Sequence, residues 1–281
     1  MNPRTPVSAR PRAALIPTLY GNSTMNTDAI NTDIVSEAAE ILVTARRNGT
    51  LLKDLPPSAT PTSKAEAYAI QDRVARRLGS VTAWKVGASG PDAEPSRAPI
   101  NASTLFFEID HLPANLFHVI GIEAEIAYRF ARDLPVSERP WTREDVLDAV
   151  ASVHPCFEIC DTRFATYGSL DPLSHLADQA NHGALIVGPA VTGWRSLDPV
   201  CQPIALDIDG KRVLKVVGGN SAVDPVRLLV WLANVGTREF GGLRAGDTVT
   251  TGSCTGTIFI EPGSRVVAAY ARMGTIELTV Q

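Results

Sequence analysis

The stretch Gly121-Ile-Glu-Ala-Glu-Ile-Ala-Tyr-Arg-Phe130 alternates apolar and other residues over most of its length. Side chains of a β-strand point alternately to its two faces, so this pattern predicts a strand. Glu123 and Glu125 then share one face, with Cα atoms roughly 6.5–7 Å apart. The opposite face carries a mostly apolar set: Ile122, Ala124, Ile126, Tyr128 and Phe130.

The two glutamates have two interpretations. They could form the solvated face of an ordinary strand with polar residues pointing outward. Like charges this close repel each other, however, unless they face water or share a cation. A hard divalent ion such as Mg²⁺ takes carboxylate oxygens as ligands, so the pair could also supply two ligands of a metal site.

The composition describes a globular chain. Its 281 residues, 44% of them hydrophobic, can bury one large core, with a small helical appendage as a possible addition. The net charge of -4 is spread without long blocks of one sign, which argues against a nucleic-acid partner or an acidic membrane. The sequence contains no run of eighteen apolar residues, so no transmembrane helix is expected.

Four cysteines in a chain of this length do not indicate a disulfide scaffold. Cys156 and Cys160 have a C-x3-C spacing that fits neither a zinc knuckle nor a thioredoxin-type pair. Free thiols in a reducing compartment, and hence a cytoplasmic protein, are the expectation. The N-terminal segment lacks a signal-peptide apolar core. We predict a disordered extension over residues 1–27, with a transit peptide or a true start at Met25 as alternatives.

Residues 28–80 predict an N-terminal helical lobe. Apolar residues recur at helical spacing from Asp33 to Asn48, and Gly49 follows as a stop. Ser63-Lys-Ala-Glu66 has the pattern of a capping box that opens a second helix, which ends at Gly79.

Residues 81–281 predict a β-rich catalytic core. The strand Val81–Gly87 is followed by an irregular segment up to Pro99, and helices begin near Thr142 and Pro225. The strands lack a regular β-α alternation, which favours a mixed, mostly antiparallel α+β fold. The further predicted strands are Cys156–Cys160, Gly183–Val187, Ile204–Ile208, Val213–Val217, Thr248–Thr251, Arg265–Tyr270 and Thr275–Val280, with a hairpin turn at Asp209-Gly210.

Glu158 lies in an apolar strand, on the same face as the two cysteines of the C-x3-C pair. A buried carboxylate is costly unless it is paired or binds a metal. An ion pair with Arg163 is one solution, and a metal shared with Glu123 and Glu125 is the other.

Lys85 is the other conspicuous charge, because its strand neighbours are Trp84 and Val86. Near a metal or in a dry pocket, a lysine has a lowered pKa and can move protons. The alternative is a lysine on a solvated edge strand.

Two turns offer polar groups. Asp178-Gln-Ala-Asn-His-Gly183 precedes a strand, and Thr251-Gly-Ser-Cys-Thr-Gly256 follows one. The second could hold a substrate carboxylate through backbone N–H groups and hydroxyls, although most such turns are only turns. The five histidines show no arrangement typical of a Ser-His-Asp hydrolase.

Taken in order, these motifs resemble the 2-keto-4-pentenoate hydratase family, with the related 4-oxalocrotonate decarboxylases, in the fumarylacetoacetate hydrolase superfamily. The resemblance runs from about residue 33 to the C-terminus. The motifs that carry it are Tyr68-x-Ile-Gln71, Trp84-Lys-Val-Gly87, Glu123-x-Glu125, Glu158-Ile-Cys-Asp-Thr-Arg163, Asp178 with the strand to Gly188, and Leu243-x-Ala-Gly-Asp247 leading to Thr255.

The resemblance implies a β-rich fold with a partly rolled central sheet. It also implies a divalent metal, Mg²⁺ or Mn²⁺, held by the carboxylates of Glu123, Glu125 and Glu158. The hydrolase branch typically has an aspartate as third ligand and a catalytic histidine, so Glu158 places the chain nearer the hydratase and decarboxylase branch.

The resemblance also assigns roles outside the metal ligands. Lys85 matches the family's active-site lysine, and Ser253 and Thr255 match the turn that contacts the substrate carboxylate. Asn181 stands where the family has a serine, and we predict that it acts with Lys85 in catalysis. The family's Pro-Asp-x-Gly segment is replaced here by Ala98-Pro-Ile-Asn-Ala-Ser-Thr104, which contains no acid.

These implications predict a metal-dependent lyase that adds water to a 2-hydroxy-2,4-dienoate and forms a 4-hydroxy-2-oxo acid. The alternatives are decarboxylation of a 2-oxo-3-enedioate, C–C hydrolysis of an acylpyruvate, and a non-catalytic partner subunit. The resemblance further implies a homo-oligomer, possible association with a homologous decarboxylase, and a small-molecule substrate as the only other partner.

Overall fold

The computed structural model describes residues 30–168 and 171–281. The predicted disordered extension over residues 1–27 lies outside the described residues. The helices are α1 Thr32–Asn48, α2 Lys64–Leu78, α3 Arg143–Ala149, α4 Pro172–Ala177 and α5 Pro225–Trp231.

The strands confirm the predicted β-rich character of the chain after Val81. They are β1 Val81–Gly87, β2 Ser96–Asn101, β3 Leu105–Phe107, β4 His111–Leu112, β5 Gly121–Phe130, β6 Leu134–Pro135, β7 Val150–Cys160, β8 His182–Val187, β9 Pro203–Ile208, β10 Lys211–Val217, β11 Gly242–Leu243, β12 Thr248–Thr250, β13 Ile258–Phe259, β14 Arg265–Tyr270 and β15 Gly274–Val280.

One sequence prediction is wrong in this region. The segment before Pro99 is irregular only as far as Pro95, because β2 forms an antiparallel pair with β1. Pro99 lacks an N–H to donate, and β2 is the edge strand of its sheet, where a proline is tolerated.

The main sheet has the strand order β2-β1-β12-β5-β7-β8-β3, and β13 also pairs with β5. The pairs β1–β12 and β3–β8 are parallel, whereas the other pairs are antiparallel. This mixed sheet fits the predicted α+β class.

Strand β5 is the centre of this sheet. It pairs with β7 over its whole length, from Gly121 to Phe130. Its other edge is divided, because β13 pairs with its first two residues and β12 with Ala127 to Arg129. The connection between β12 and β13 therefore runs beside the middle of β5, where Glu123 and Glu125 lie.

The two faces of β5 have different surroundings. The apolar face predicted from the alternation joins the large hydrophobic core, with Ile122 and Ala124 fully buried. The face of the two glutamates lies on the side of a smaller buried cluster, made of Ala83, Ile100, Ala127, Cys156, Leu185 and Val187. The carboxylates thus project from a rigid, buried part of the sheet.

A second sheet, with the order β10-β9-β14-β15-β4, packs against the first through the large core. The Tyr270 hydroxyl of β14 donates to the carbonyl oxygens of Glu125 and Cys156 at 2.9 and 3.1 Å. The predicted hairpin turn joins β9 to β10, and both Asp209 and Gly210 have a positive φ, as a two-residue hairpin loop of this kind requires.

Helices α1 and α2 confirm their predicted termini. Gly49 follows α1 in the left-handed conformation, and the Ser63 hydroxyl caps α2 by accepting from the Glu66 N–H. The two helices share a hydrophobic cluster that also contains Phe164 and Ala177. The boundaries of the helical lobe at 28–80 and of the catalytic core at 81–281 stay predictions.

A buried arginine joins α2 to the main sheet. Arg97 of β2 donates from two guanidinium nitrogens to the Asp72 carboxylate and from Nη1 to Gln71 Oε1 at 2.7 Å. Its guanidinium also lies 4.6 Å from the centroid of the Tyr68 ring.

No helix in the described ranges is long and apolar enough to cross a lipid bilayer.

Candidate active site and metal centre

The antiparallel register of β5 and β7 brings the predicted carboxylates together. Glu123 lies directly opposite Glu158, and Glu125 lies opposite Cys156. Oxygens of Glu123 and Glu158 and the sulfur of Cys160 all lie within 4.8 Å of one another. Glu158 is 1% exposed. It is therefore the buried acid for which the sequence allowed either an ion pair with Arg163 or a metal contact.

Glu125 is fully buried beside this group, although it is not one of the three residues with mutually close ligand atoms. Its Oε2 accepts from the Thr250 hydroxyl and from the Gly252 N–H, at 2.9 Å for the latter. Its Oε1 is buried and has no hydrogen-bond partner among the described residues. Burial raises the pKa of Glu125, and the charges of Glu158 and Glu123 raise it further.

Lys85 lies beside the carboxylates. Its Nζ donates to Glu158 Oε1 at 2.5 Å and to the Ala180 carbonyl at 3.1 Å. Burial disfavours the ammonium, but the charges of Glu158, Cys160 and Glu123 outweigh it, so the pKa of Lys85 lies above its usual value. The expectation of a lowered pKa is therefore wrong for this arrangement. Glu158 makes its ion pair with Lys85, a partner that was not predicted.

Arg163, the alternative partner predicted for Glu158, binds elsewhere. Its Nε donates to both oxygens of Asp178, at 2.7 and 2.9 Å. Its Nη1 donates to the carbonyl of His182 at 2.9 Å. Asp178 and Arg163 thus hold the polar turn before β8 against the end of β7.

His182 belongs to the site, although no pattern in the sequence singled it out. Its Nδ1 lies 3.2 Å from Glu158 Oε1 and its Nε2 lies 3.0 Å from the Thr104 hydroxyl. Burial lowers its pKa well below the ordinary range, and the charge of Lys85 lowers it further. A neutral imidazole can donate from Nδ1 to Glu158, which leaves Nε2 as an acceptor that shares the Thr104 hydroxyl with the Asn101 carbonyl, 3.2 Å from that hydroxyl.

The connection between β12 and β13 carries the hydroxyl groups predicted to contact substrate. Thr255 Oγ1 accepts from the Ala124 N–H at 3.0 Å and donates to the Gly256 carbonyl, so this hydroxyl fixes the turn against β5. Ser253 Oγ accepts from the Thr255 N–H at 3.2 Å and lies 3.5 Å from Thr255 Oγ1, which is a long contact for two hydroxyls. Thr257, which the sequence did not single out, donates from its hydroxyl to Glu123 Oε1.

Asn181 lies next to the site with its side chain committed elsewhere. Its Oδ1 lies 2.9 Å from His175 Nδ1 of α4. The group of this turn that contacts Lys85 is the carbonyl of Ala180. Gln179, Ala180 and Asn181 all have positive φ values, of 48°, 49° and 61°, which is a costly conformation for residues with a Cβ.

Two aromatic rings lie beside the carboxylates. Tyr167 and Phe259 contact each other edge to face, with ring centroids 5.0 Å apart. Burial raises the pKa of the Tyr167 hydroxyl, and the neighbouring Cys160 and Glu123 raise it further. No periodic pattern signals Tyr167, because it lies in an irregular segment.

The residues present fit a divalent cation. Hard cations take carboxylate oxygens as ligands, and three glutamates converge here. The buried Glu125 Oε1 without a donor is an orphaned acceptor of the kind that a cation satisfies. The Cys160 thiol adds a soft donor to the group, and burial raises its pKa, which keeps it protonated.

Comparisons with known proteins agree with this fold. Residues 98–281 match the family described as fumarylacetoacetate (FAA) hydrolase, C-terminal. The chain therefore belongs to the fumarylacetoacetate hydrolase family, as its motifs predicted.

Individual relatives show which proteins of known name the chain resembles. A 2-keto-4-pentenoate hydratase of Paraburkholderia xenovorans (strain LB400) is 29% identical over 239 residues, covering 81% of this chain and 87% of the relative. A 4-oxalocrotonate decarboxylase from Pseudomonas putida G7, solved with magnesium and adipate, superposes with a TM-score of 0.78 at 21% identity, covering 89% of this chain and 98% of the other. The same decarboxylase with calcium and acetate gives a TM-score of 0.76 at 21% identity and the same coverage.

Proposed function

We propose that this chain is a divalent-metal-dependent hydratase that adds water to a small 2-hydroxy-2,4-dienoate and releases a 4-hydroxy-2-oxo acid. The observation that carries the proposal is the grouping of Glu123 and Glu158 beside Lys85, with Glu125 Oε1 buried next to them and without a hydrogen-bond partner among the described residues. Relatives named as hydratases, which are carbon–oxygen lyases, support the reaction class.

Glu123, Glu125 and Glu158 would hold the metal, which we propose to be Mg²⁺ or Mn²⁺. The magnesium and calcium of the decarboxylase structures support a divalent cation with oxygen ligands. A divalent cation bound here would supply positive charge that favours negative charge on the substrate oxygens.

Lys85 would move the proton. Its Nζ is held by Glu158 and by the Ala180 carbonyl, and its raised pKa keeps it an ammonium at neutral pH. We propose that Nζ gives a proton to the terminal carbon of the dienol and regains one from the 2-hydroxyl group. The resulting 2-oxo-3-enoate then adds water, with the hydroxyl on carbon 4 and the proton on carbon 3.

Ser253 would bind the substrate carboxylate. Its hydroxyl proton has Thr255 Oγ1, 3.5 Å away, as a weak acceptor that a substrate carboxylate would replace, and the turn that carries it is fixed to β5 through Thr255. We propose Thr255 as the second substrate-binding residue and Asn181 as a catalytic residue. The contact of Asn181 with His175 means that its amide would have to turn toward the substrate to act.

The departure from the family pattern at Asn101 has a structural explanation. Its side-chain amide donates to the carbonyls of Ala75 and Gly79 at the end of α2, and its Oδ1 accepts from Gln179 at 3.3 Å. Asn101 therefore anchors the strained turn before β8 instead of offering an acid to the substrate. This missing acid favours decarboxylation of a 2-oxo-3-enedioate as the second candidate function.

The products distinguish these candidates. Metal-stripped protein is mixed with 2-hydroxypenta-2,4-dienoate or with 4-oxalocrotonate in H₂¹⁸O, before and after Mg²⁺ is added. The hydratase proposal predicts that Mg²⁺ causes loss of the dienol ultraviolet band and puts ¹⁸O on carbon 4. Release of CO₂ from the second substrate, with the first unchanged, would replace it by the decarboxylase.

The two remaining alternatives are acylpyruvate hydrolysis and a non-catalytic subunit, and the site favours neither of them. Acylpyruvate hydrolysis requires a histidine that activates water, and His182 is buried and already paired on both ring nitrogens. A non-catalytic subunit would not need the Lys85–Glu158 pair. A cytoplasmic location, assembly into a homo-oligomer and association with a homologous decarboxylase are also proposals.

A further inference from the structure

A cavity lies between the end of α1, the turn after β2 and the start of β8. Its volume is about 570 Å³, which is within the range typical of small-molecule sites. None of the predicted site residues lines it. The side chains that line the cavity therefore determine which ligand it can bind.

The lining is positively charged. Arg46, Arg47 and Arg163 line the cavity against a single carboxylate, that of Asp161. One Asp161 oxygen already accepts from two backbone N–H groups at 3.1 Å each. Arg163 is already held by both oxygens of Asp178. Asp178 and Asp161 act on Arg46 through their charge alone, because neither carboxylate forms an ion pair with it in the described part of the chain.

Arg46 is the unusual member of this set. It is half-buried, and its Nη2 donates to the His182 carbonyl at 2.8 Å. Its side chain makes no other hydrogen bond or ion pair within residues 30–168 and 171–281. Burial, followed by the charge of Arg163, lowers its pKa to about 9, so the guanidinium remains charged at neutral pH. A guanidinium has five N–H donors, and most of these are unused here.

The rest of the lining is suited to a carbon chain. Leu51, Leu78, Phe106, Leu116 and Phe117 form apolar walls, and the hydroxyls of Ser103 and Thr104 add polar groups. Guanidinium groups bind carboxylates and phosphates through paired N–H donors. The apolar walls favour an organic acid over an inorganic ion.

We propose that this cavity binds a small organic carboxylate, with its carboxylate on Arg46 and its carbon chain against the apolar walls. The cavity adjoins the proposed active site through His182, which Arg46 and Thr104 contact, but it contains none of the proposed metal, catalytic or substrate-binding residues and does not depend on the hydratase reaction. A negative result in the hydratase test would therefore not contradict this proposal. A negative result in the binding test described below would not contradict the hydratase proposal.

The test measures binding of hexanoate by calorimetry to the full chain, with hexanamide and inorganic phosphate as comparison ligands. We expect hexanoate to bind, and Arg46→Gln to weaken it roughly ten- to hundred-fold, because a charge-assisted contact is lost. Arg47→Gln is the matched control. It removes the same charge from an exposed position and should change the affinity less than three-fold.

Two further variants separate the possible outcomes. Arg46 contacts the His182 carbonyl, so its replacement could disturb the fold. Ser103→Trp fills the cavity instead, at an exposed residue without a hydrogen bond in the described chain, and should also abolish binding. Lys85→Met should bind hexanoate as the wild type does. Equal binding of hexanamide, phosphate binding without hexanoate binding, unchanged affinity in both cavity variants, or loss of binding only in Lys85→Met would each overturn the proposal.

Discussion

Lys85 Nζ lies 2.5 Å from Glu158 Oε1, although their strands β1 and β7 are separated in the main sheet by β12 and β5. The lysine and glutamate side chains together span the two intervening strands. The ammonium thus shares a carboxylate oxygen with the proposed metal site. This contact connects the two functions that we assign to the site, proton movement and cation binding.

Replacing Lys85 should therefore separate these functions. Lys85→Met removes the proposed proton donor, and turnover should fall by about 10²–10⁴-fold. Cation affinity should stay the same or increase, because the ammonium no longer competes for Glu158. Parallel measurements of turnover and of Mn²⁺ binding by electron paramagnetic resonance check both statements. A variant that keeps its turnover, or that loses Mn²⁺ binding, contradicts the assigned role.

The two hydroxyls of the β12–β13 connection should respond differently to removal. Thr255→Val takes away an acceptor for the Ala124 N–H, and we expect a loss of stability of about 1–3 kcal/mol. Ser253→Ala removes a hydroxyl with two long contacts, to the Thr255 N–H at 3.2 Å and to Thr255 Oγ1 at 3.5 Å, so we expect an increased KM with an unfolding free energy near that of the wild type. Urea denaturation and steady-state kinetics of both variants provide the comparison. The reverse pattern would show that Thr255, and not Ser253, is the substrate contact.

The Arg97–Asp72 pair should be important for stability. Both side chains are buried, so Asp72→Ala leaves an unpaired buried guanidinium and should cost about 3–5 kcal/mol. Glu94→Ala breaks the exposed ion pair with Lys64 and serves as the matched control, with an expected cost below about 1 kcal/mol. Chemical denaturation of the two variants measures the difference. Similar costs for both would mean that Asp72 is not the essential partner of Arg97.

Stability should also decrease in mild acid because of His154. Burial lowers the pKa of this histidine, whose ring contacts the Gly188 carbonyl and the Ser152 hydroxyl. Between the folded pKa and the unfolded value of about 6.5, the unfolded chain binds more protons, so stability is lost as pH falls through that window. His154→Gln should reduce this loss, whereas His111→Asn, at an exposed position, should not. Denaturation midpoints at neutral and mildly acidic pH provide the test, and an unchanged pH dependence in His154→Gln would contradict it.

The sequence predicted those parts of the site that depend on local periodicity. The alternation around Glu123 and Glu125 correctly placed both on one strand face, and the capping pattern at Ser63 correctly placed the start of α2. The family motifs predicted the fold, which the match over residues 98–281 confirms.

The rest depends on contacts between residues far apart in the chain. Glu158 pairs with Lys85 and not with Arg163, and the order of strands in the sheet decides this choice of partner. His182 has no sequence signal, because its role follows from the register of β8 beside β7. The strained turn at Gln179–Asn181 is held by Asn101 and Pro99, which lie about eighty residues away.

The central claim is that the three glutamates hold one divalent cation on which turnover depends. The most direct measurement titrates Mn²⁺ into metal-stripped wild-type protein and into Glu125→Gln, and follows bound Mn²⁺ and dienoate turnover in the same samples. We predict that turnover rises in proportion to one bound ion per chain, and that Glu125→Gln loses both together. Full turnover of the stripped protein, or a Glu125→Gln variant that binds Mn²⁺ and turns over as the wild type does, would contradict the account.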